Sequence, residues 1–219
     1  MTSGPDGPAA GLSVLVVDDH VLVRAGMRRL LEEDAAIGRV DEASSGEEAL
    51  DIAATGRHDL VLMDISLPGM NGLELLKHLL TLHPELPVLM VSRHDEDLYA
   101  ERSVRAGARG YVSKLAAGDD LVQAVRRVLR GGIHLSEHIK DRVLFGMSNG
   151  GKSVFESPLD SLSDRELEVF EMTGRGIPTR VISERLHLSV KTVESYRSRI
   201  KTKLGLANGS ELMKHAVNW

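Results

Sequence analysis

The sequence predicts an α/β domain of about five parallel strands followed by a small all-α unit, and three observations carry that reading. Apolar runs that do not alternate with polar residues, at Leu12–Val17, Leu60–Met63 and Val88–Val91, are separated by longer stretches of helical period. Strands that alternate with helices, and are apolar on both faces, belong to a parallel sheet covered on both sides. The chain has 219 residues, which suits two domains, since soluble domains run to roughly 100–200 residues. Its charge is also split: residues 1–138 hold 14 Lys+Arg against 22 Asp+Glu, whereas residues 161–219 hold 10 against 7.

Residues 1–11 read as a disordered tail, and Met1–Pro8 lacks the basic and apolar segments of a secretory signal. The α/β domain spans 12–132. Its first strand is Leu12–Val17, and Val40 and Tyr111-Val112 mark two weaker strands. Ser45-Gly46-Glu47-Glu48 is an S-x-x-E capping box that opens a helix. Leu121, Val122, Val125, Val128 and Leu129 form the apolar stripe of the last helix, which ends near Gly131-Gly132. Residues 133–158 read as a linker, with turn-forming Gly146, Ser148, Asn149, Gly150, Gly151, Ser153 and Pro158. Helical period in Ile133–Met147 confines its flexible piece to Ser148–Pro158.

Residues 159–219 form the all-α unit. Ser163-Asp164-Arg165-Glu166 is a second capping box, and the helix it opens carries Leu167, Val169, Phe170 and Met172 and stops at Gly174–Gly176. A second helix begins with Pro178 in its first turn and ends near Leu186. The third starts after Ser189, a capping hydroxyl, and runs through Leu204 to Gly205; the fourth covers Glu211–Val217. Asn208-Gly209-Ser210 reads as a turn.

Composition removes whole classes of function. With no cysteine there is no disulfide framework, thiolate zinc site or thiol nucleophile. No apolar run approaches the roughly 18 residues of a membrane helix. A cytoplasmic protein with no membrane contact is expected.

In an open parallel sheet, functional groups gather beyond the carboxyl ends of the strands. Asp18-Asp19 follow the first run, Asp64 the third and Ser92 the fourth, and Lys114 lies just past the fifth. All five therefore belong to one end of the sheet. Crowded carboxylates repel one another and tend to hold protons unless a cation compensates, which a hard divalent ion with oxygen ligands does well. Mg2+ is the expected ion. A carboxylate beside it can attack a phosphoryl group, so Asp64 is the candidate nucleophile and Lys114 the clamp. His20, next to the acidic pair, is read as structural or solvent-facing.

Val16-Val17-Asp18-Asp19-His20, Met63-Asp64-Ile65-Ser66-Leu67-Pro68-Gly69-Met70-Asn71-Gly72, Val91-Ser92 and Ala106–Lys114 closely resemble the receiver domain of two-component response regulators. The resemblance implies a flavodoxin-like sheet of order 2-1-3-4-5. It further implies that Asp64 accepts a phosphoryl group from a histidine kinase, with Mg2+ held by Asp18, Asp19, Asp64 and the backbone carbonyl of Ser66. Ser92 and Lys114 then bind the phosphoryl oxygens, and Tyr111 turns inward as the switch aromatic. Hydrolytic loss of the group takes place near Ser66 and His94.

In the tail, Arg180, Arg185, Lys191, Arg197, Arg199, Lys201 and Lys203 face only Glu184 and Glu194 over residues 180–203. Such charge favours a polyanion, while the front of a recognition helix reads base edges. Lys191, Thr192, Val193, Tyr196 and Arg197 are the candidate DNA contacts, although Val193, with Ile182, Leu186, Leu188 and Ile200, also reads as packing. Leu162–Val169, Ile182–Ser189 and Lys191–Arg197 resemble the LuxR-type helix-turn-helix, and joined to a receiver they resemble the NarL/FixJ family. Pro178-Thr179-Arg180-Val181 and Tyr196 depart from that family's usual Ser-Asn-Lys-Glu and His. The resemblance implies double-stranded DNA as partner, and a homodimer in the active state through Leu212–Val217. An aspartyl-nucleophile phosphatase is the rival reading; such enzymes carry an acid where Ser66 stands. A receiver indifferent to phosphorylation is a second.

Overall fold

The computed structural model describes residues 11–94, 96–116, 118–148 and 157–219, with side chains omitted at 145–148. The expected tail, Gly11 excepted, and most of the expected flexible piece lie outside the described residues. The chain divides into two units, Met1–Ile139 and Lys140–Trp219.

The first unit alternates strand and helix: β1 Leu12–Val17, α1 Val21–Glu32, β2 Ile37–Ala43, α2 Gly46–Thr55, β3 Leu60–Met63, α3 Gly72–Leu82, β4 Val88–Ser92, α4 Glu96–Arg105, β5 Gly110–Ser113 and α5 Gly118–Leu129. All four strand pairings are parallel, in the order β2-β1-β3-β4-β5, with Val17 opposite both Ala43 and Met63. β1, β3 and β4 are buried along almost their whole length, which is why they read as unbroken apolar runs. Alternate side chains divide between the faces. Val14, Val16, Leu60, Leu62, Leu89 and Val91 pack with Met27 and Leu31 of α1 and with Leu121, Val125 and Val128 of α5. Leu15, Val17, Val61, Met63 and Met90 point the other way and are equally buried. Each such side chain contributes on the order of 1.5–3 kcal/mol.

Both edges explain a weak strand signal. β2 carries Arg39, Asp41 and Glu42, charges suited to an exposed edge. β5 is covered by the chain that follows α5: Tyr111 N–H donates to the His134 carbonyl at 2.9 Å, and His134 N–H to the Arg109 carbonyl at 3.0 Å. That approach leaves no room for a side chain at Gly110, whose added Cβ would lie 2.5 Å from the His134 oxygen. The expected linker thus begins with residues bonded to the sheet, and it continues into helix α6, Glu137–Ser148.

After α6, most of which belongs to the second unit, the described chain resumes with a 3-10 turn at Pro158–Ser161, followed by α7 Asp164–Gly174, α8 Thr179–Arg185, α9 Val190–Leu204 and α10 Gly209–Val217. Leu162, Leu167, Phe170, Ile182, Leu186, Val193, Ile200 and Leu212 are its buried core. The Ser163–Glu166 capping box is complete, and Gly205 ends α9 in the left-handed conformation at φ 67°. Three details differ from the sequence reading. Pro178 is the N-cap of α8, outside its first turn. Asn208 caps α10 by accepting from Ser210 and Glu211 N–H, so the expected turn is a helix start. At Ser45 only half the box forms, since Glu48 binds Ser44 N–H and hydroxyl, at 2.7 Å each.

Candidate functional site

Backbone bonds beyond the strand ends gather the acidic groups. Asp18 N–H donates to Ala43 O, Asp64 N–H to Val17 O and Lys114 N–H to Ser92 O, so each residue prolongs the ladder by one step. Side chains from the loops after β1, β3 and β5 thereby meet at one end of the sheet. Lys114 Nζ lies 2.6 Å from Asp18 Oδ2 and 2.6 Å from Asp64 Oδ2. Asp18 is wholly buried and Asp64 nearly so, whereas Asp19 is part-exposed. Burial pushes the Asp64 carboxyl up to about 6 despite the Lys114 ammonium, and the charge on Asp18 pushes the same way.

A close backbone contact shapes the loop after Asp64. Gly72 N–H donates to Ile65 O at 2.8 Å, and a Cβ on Gly72 would come within 2.0 Å of Asp64 O. Asn71 caps α3 by accepting from Leu73 N–H at 2.8 Å. Ser92 is buried and accepts from His94 N–H at 3.2 Å. Ser66 Oγ and His94 Nε2 are 2.7 Å apart, joining the loops after β3 and β4. Tyr111 is already inward: it is buried, and its hydroxyl donates to the His94 carbonyl at 2.8 Å.

The sequence reading sets His20 aside as structural or solvent-facing and does not single out Arg24. His20 is half-exposed, but its Nδ1 lies 2.5 Å from Asp19 Oδ1, and Asp18, Asp19, His20 and Asp64 each offer a ligand atom within 4.8 Å of the others. Its adjacency to the acidic pair was the available signal. Arg24 donates to the Asp18 carbonyl at 2.6 Å and to Glu42 at 3.0 Å, fixing the turn that presents Asp18. The donor set suits a hard cation. Asp18 Oδ2 and Asp19 Oδ1 are buried, the first facing the Lys114 ammonium at 2.6 Å and the second His20 Nδ1 at 2.5 Å.

In the second unit, α8 and α9 form the helix-turn-helix, with His187 at φ 53° in the turn between them. Ser189 caps α9 by accepting from Thr192 N–H at 3.0 Å. Lys191 is exposed at the front of α9, and Thr192 and Tyr196 are half-buried. Val193 is wholly buried, which bears out its reading as a packing residue and corrects its place among the DNA contacts: it packs the motif, and its side chain is turned away from solvent. Arg197 is half-buried, and one guanidinium N–H donates to Thr179 Oγ1 at 2.7 Å, bracing α8. The outward stripe is instead Val190, Lys191, Glu194, Ser195, Ser198 and Arg199. Which side of a helix faces out depends on packing against its neighbours, and short helices rich in polar residues carry a weak record of it.

Among the described residues no helix is long and apolar enough to cross a membrane. The family described as "Response regulator receiver domain" matches residues 14–126, and that described as "Bacterial regulatory proteins, luxR family" matches 160–216. The chain is 40% identical over 206 residues to the response regulator UvrY of Escherichia coli, covering 94% of each. It is 38% identical over 206 residues to the response regulator GacA of Pseudomonas aeruginosa, covering 94% of this chain and 95% of that one. The RcsB response regulator of Salmonella typhimurium shares the fold, with a TM-score of 0.66 at 22% identity over 95% of this chain and 98% of that one. With both units matched, and relatives this similar along nearly the whole length, the chain belongs to the two-component response regulators that join a receiver domain to a LuxR-type DNA-binding domain.

Proposed function

We propose that Asp64 accepts a phosphoryl group from the phosphohistidine of a cognate histidine kinase, and that this modification controls transcription through DNA binding by α9. The observation that carries the proposal is the single Lys114 ammonium shared by two buried carboxylates, 2.6 Å from each. Lys114 holds Asp18 and Asp64 together at rest and stands where a new anion on Asp64 would be paired. A carboxylate oxygen of Asp64 attacks phosphorus, the P–N bond breaks, and the kinase imidazole leaves. Asp18, Asp19, Asp64 and the backbone carbonyl of Ser66 would hold Mg2+, a set supported by the ligand atoms that Asp18, Asp19 and Asp64 bring within 4.8 Å of one another. When bound, the ion neutralises charge on the oxygens of the transferring group.

Ser92, while accepting from His94 N–H, can donate its own proton to a phosphoryl oxygen. Its movement would be felt at His94, whose carbonyl takes the Tyr111 hydroxyl; Ser92 and Tyr111 are thus the switch pair. Small phosphodonors would also modify Asp64, and water would remove the group in the neighbourhood of Ser66 and His94; no other catalysis is assigned. Lys191, Thr192, Tyr196 and Arg197 contact double-stranded DNA, with a homodimer on paired half-sites in the active state. The site of action is the cytoplasm. Intact-mass spectrometry after treatment with a small phosphodonor and Mg2+ tests the first step. One added phosphate is expected on the parent protein and none on Asp64→Ala; an equal gain on both would refute the assignment.

A further inference from the structure

We infer that Glu194 is a specificity residue that reads cytosine in the major groove, an inference that rests on the DNA-binding role of α9. Glu194 lies in the second turn of α9, on the outward stripe between Lys191 and Ser198, all three exposed. The opposite side of the helix is packed, with Val193 and Ile200 wholly buried. Whatever meets the exposed front of this helix therefore meets the Glu194 carboxylate.

Its electrostatic surroundings single it out. Glu166, Glu168, Glu171 and Glu184 in this unit pair with Lys203, Arg165, Arg175 and Arg180, and Glu211 accepts from Ala207 N–H. Among the described residues Glu194 has no ion pair or side-chain hydrogen bond. An unneutralised carboxylate on a surface meant for DNA is repelled by every phosphate, so it weakens binding to all sequences alike unless a base offers it a donor. The major-groove donors are the exocyclic amines of cytosine and adenine. On adenine the amine sits beside the N7 acceptor, which opposes a second carboxylate oxygen; cytosine offers its N4 amine without such a neighbour. Glu194 thus fits a cytosine and opposes guanine and thymine, which present acceptors there. Lys191, three residues earlier, supplies the attraction that brings the helix in.

Selection of bound duplexes from a randomised pool tests this with the phosphodonor-treated full chain as parent, Glu194→Gln and Glu194→Ala. The parent is expected to favour cytosine at one position per half-site by about ten-fold or more. Glutamine, which can pair with both N6 and N7, should move that preference to adenine; alanine should abolish it while leaving other positions unchanged. Identical preferences in all three proteins would overturn the inference. So would a uniform gain in affinity for every sequence in both variants, since Glu194 would then act only through phosphate repulsion. A parent that binds no duplex would instead overturn the DNA-binding role itself.

Discussion

Asp64, the proposed phosphoacceptor, lies in surroundings that oppose its own charge. A carboxyl raised to about 6 in the fold, against about 3.9 in an unfolded chain, binds its proton more tightly when folded. Its contribution to stability is therefore fully present below about pH 4 and is lost as pH rises through about 6. At neutral pH the ionised, metal-free site works against folding. Asp64→Asn, of the same shape and uncharged, is expected to stabilise the protein at pH 7.5 in chelator by up to about 3 kcal/mol. The gain should shrink towards pH 4. Added Mg2+ should also reduce it, because a bound cation stabilises the parent's carboxylate more than an amide. Thermal unfolding of both proteins across pH, with and without Mg2+, checks this. A difference that does not vary with pH would show that Asp64 is not a strained carboxylate in the resting fold.

Helices and loops hold these residues where the chemistry needs them, and two substitutions test how. Gly72 lets the start of α3 press on the Asp64 backbone, where an added Cβ would lie 2.0 Å from a carbonyl oxygen. Gly72→Ala is expected to cost about 1–3 kcal/mol by overpacking, and to slow phosphorylation by displacing the loop after β3. Denaturant unfolding together with phosphorylation rate checks both effects; a stable variant phosphorylated at the parental rate would show that the contact relaxes freely. In the second unit, Ser163 caps α7 and Glu166 closes the box, while Lys203 reaches back from α9 to Glu166 at 2.6 Å. Ser163→Ala should cost about 1 kcal/mol, seen as a lower unfolding midpoint with unchanged DNA sequence preference. The capping box at Ser163 and the buried strands β1, β3 and β4 are plain in the sequence because each is a local pattern. The edge strands β2 and β5 are faint, one because it carries charges and the other because His134 covers it. The acidic cluster is legible because strands that end on Asp18, Asp64 and Ser92 run parallel and must end together. The inward direction of Val193 reads as packing from its apolar side chain, but the outward direction of Glu194 is not legible, since a polar residue on a short helix is assigned to solvent or to a contact by its packing partners.

At the scale of the whole molecule, the proposed phosphoacceptor belongs to one unit and the proposed DNA-facing helix to the other, so control by phosphorylation is a coupling free energy between two sites. Such couplings are typically about 1–3 kcal/mol, or roughly 5- to 150-fold in affinity. Moving an equilibrium from 1:99 to 99:1 would take about 5.5 kcal/mol, so a graded tightening helped by dimerisation is the expected response. The electrostatic part of DNA affinity is expected to reside in the cations of the second unit, whatever the state of Asp64. Mobility shift with the full chain should show binding that weakens steeply with salt both with and without phosphodonor. Phosphodonor with Mg2+ should tighten the parent by about ten-fold and leave Asp64→Ala unchanged. Lys191→Ala should lower affinity for all sequences and reduce the salt slope by about one, as expected for loss of a single phosphate contact. Tightening of Asp64→Ala to the same degree as the parent would separate the two units' functions and leave the acidic site without a role in binding. A Lys191→Ala slope equal to the parental one would move the phosphate contact elsewhere on α8 or α9, where Arg180, Arg199 and Lys201 are the next cations to change.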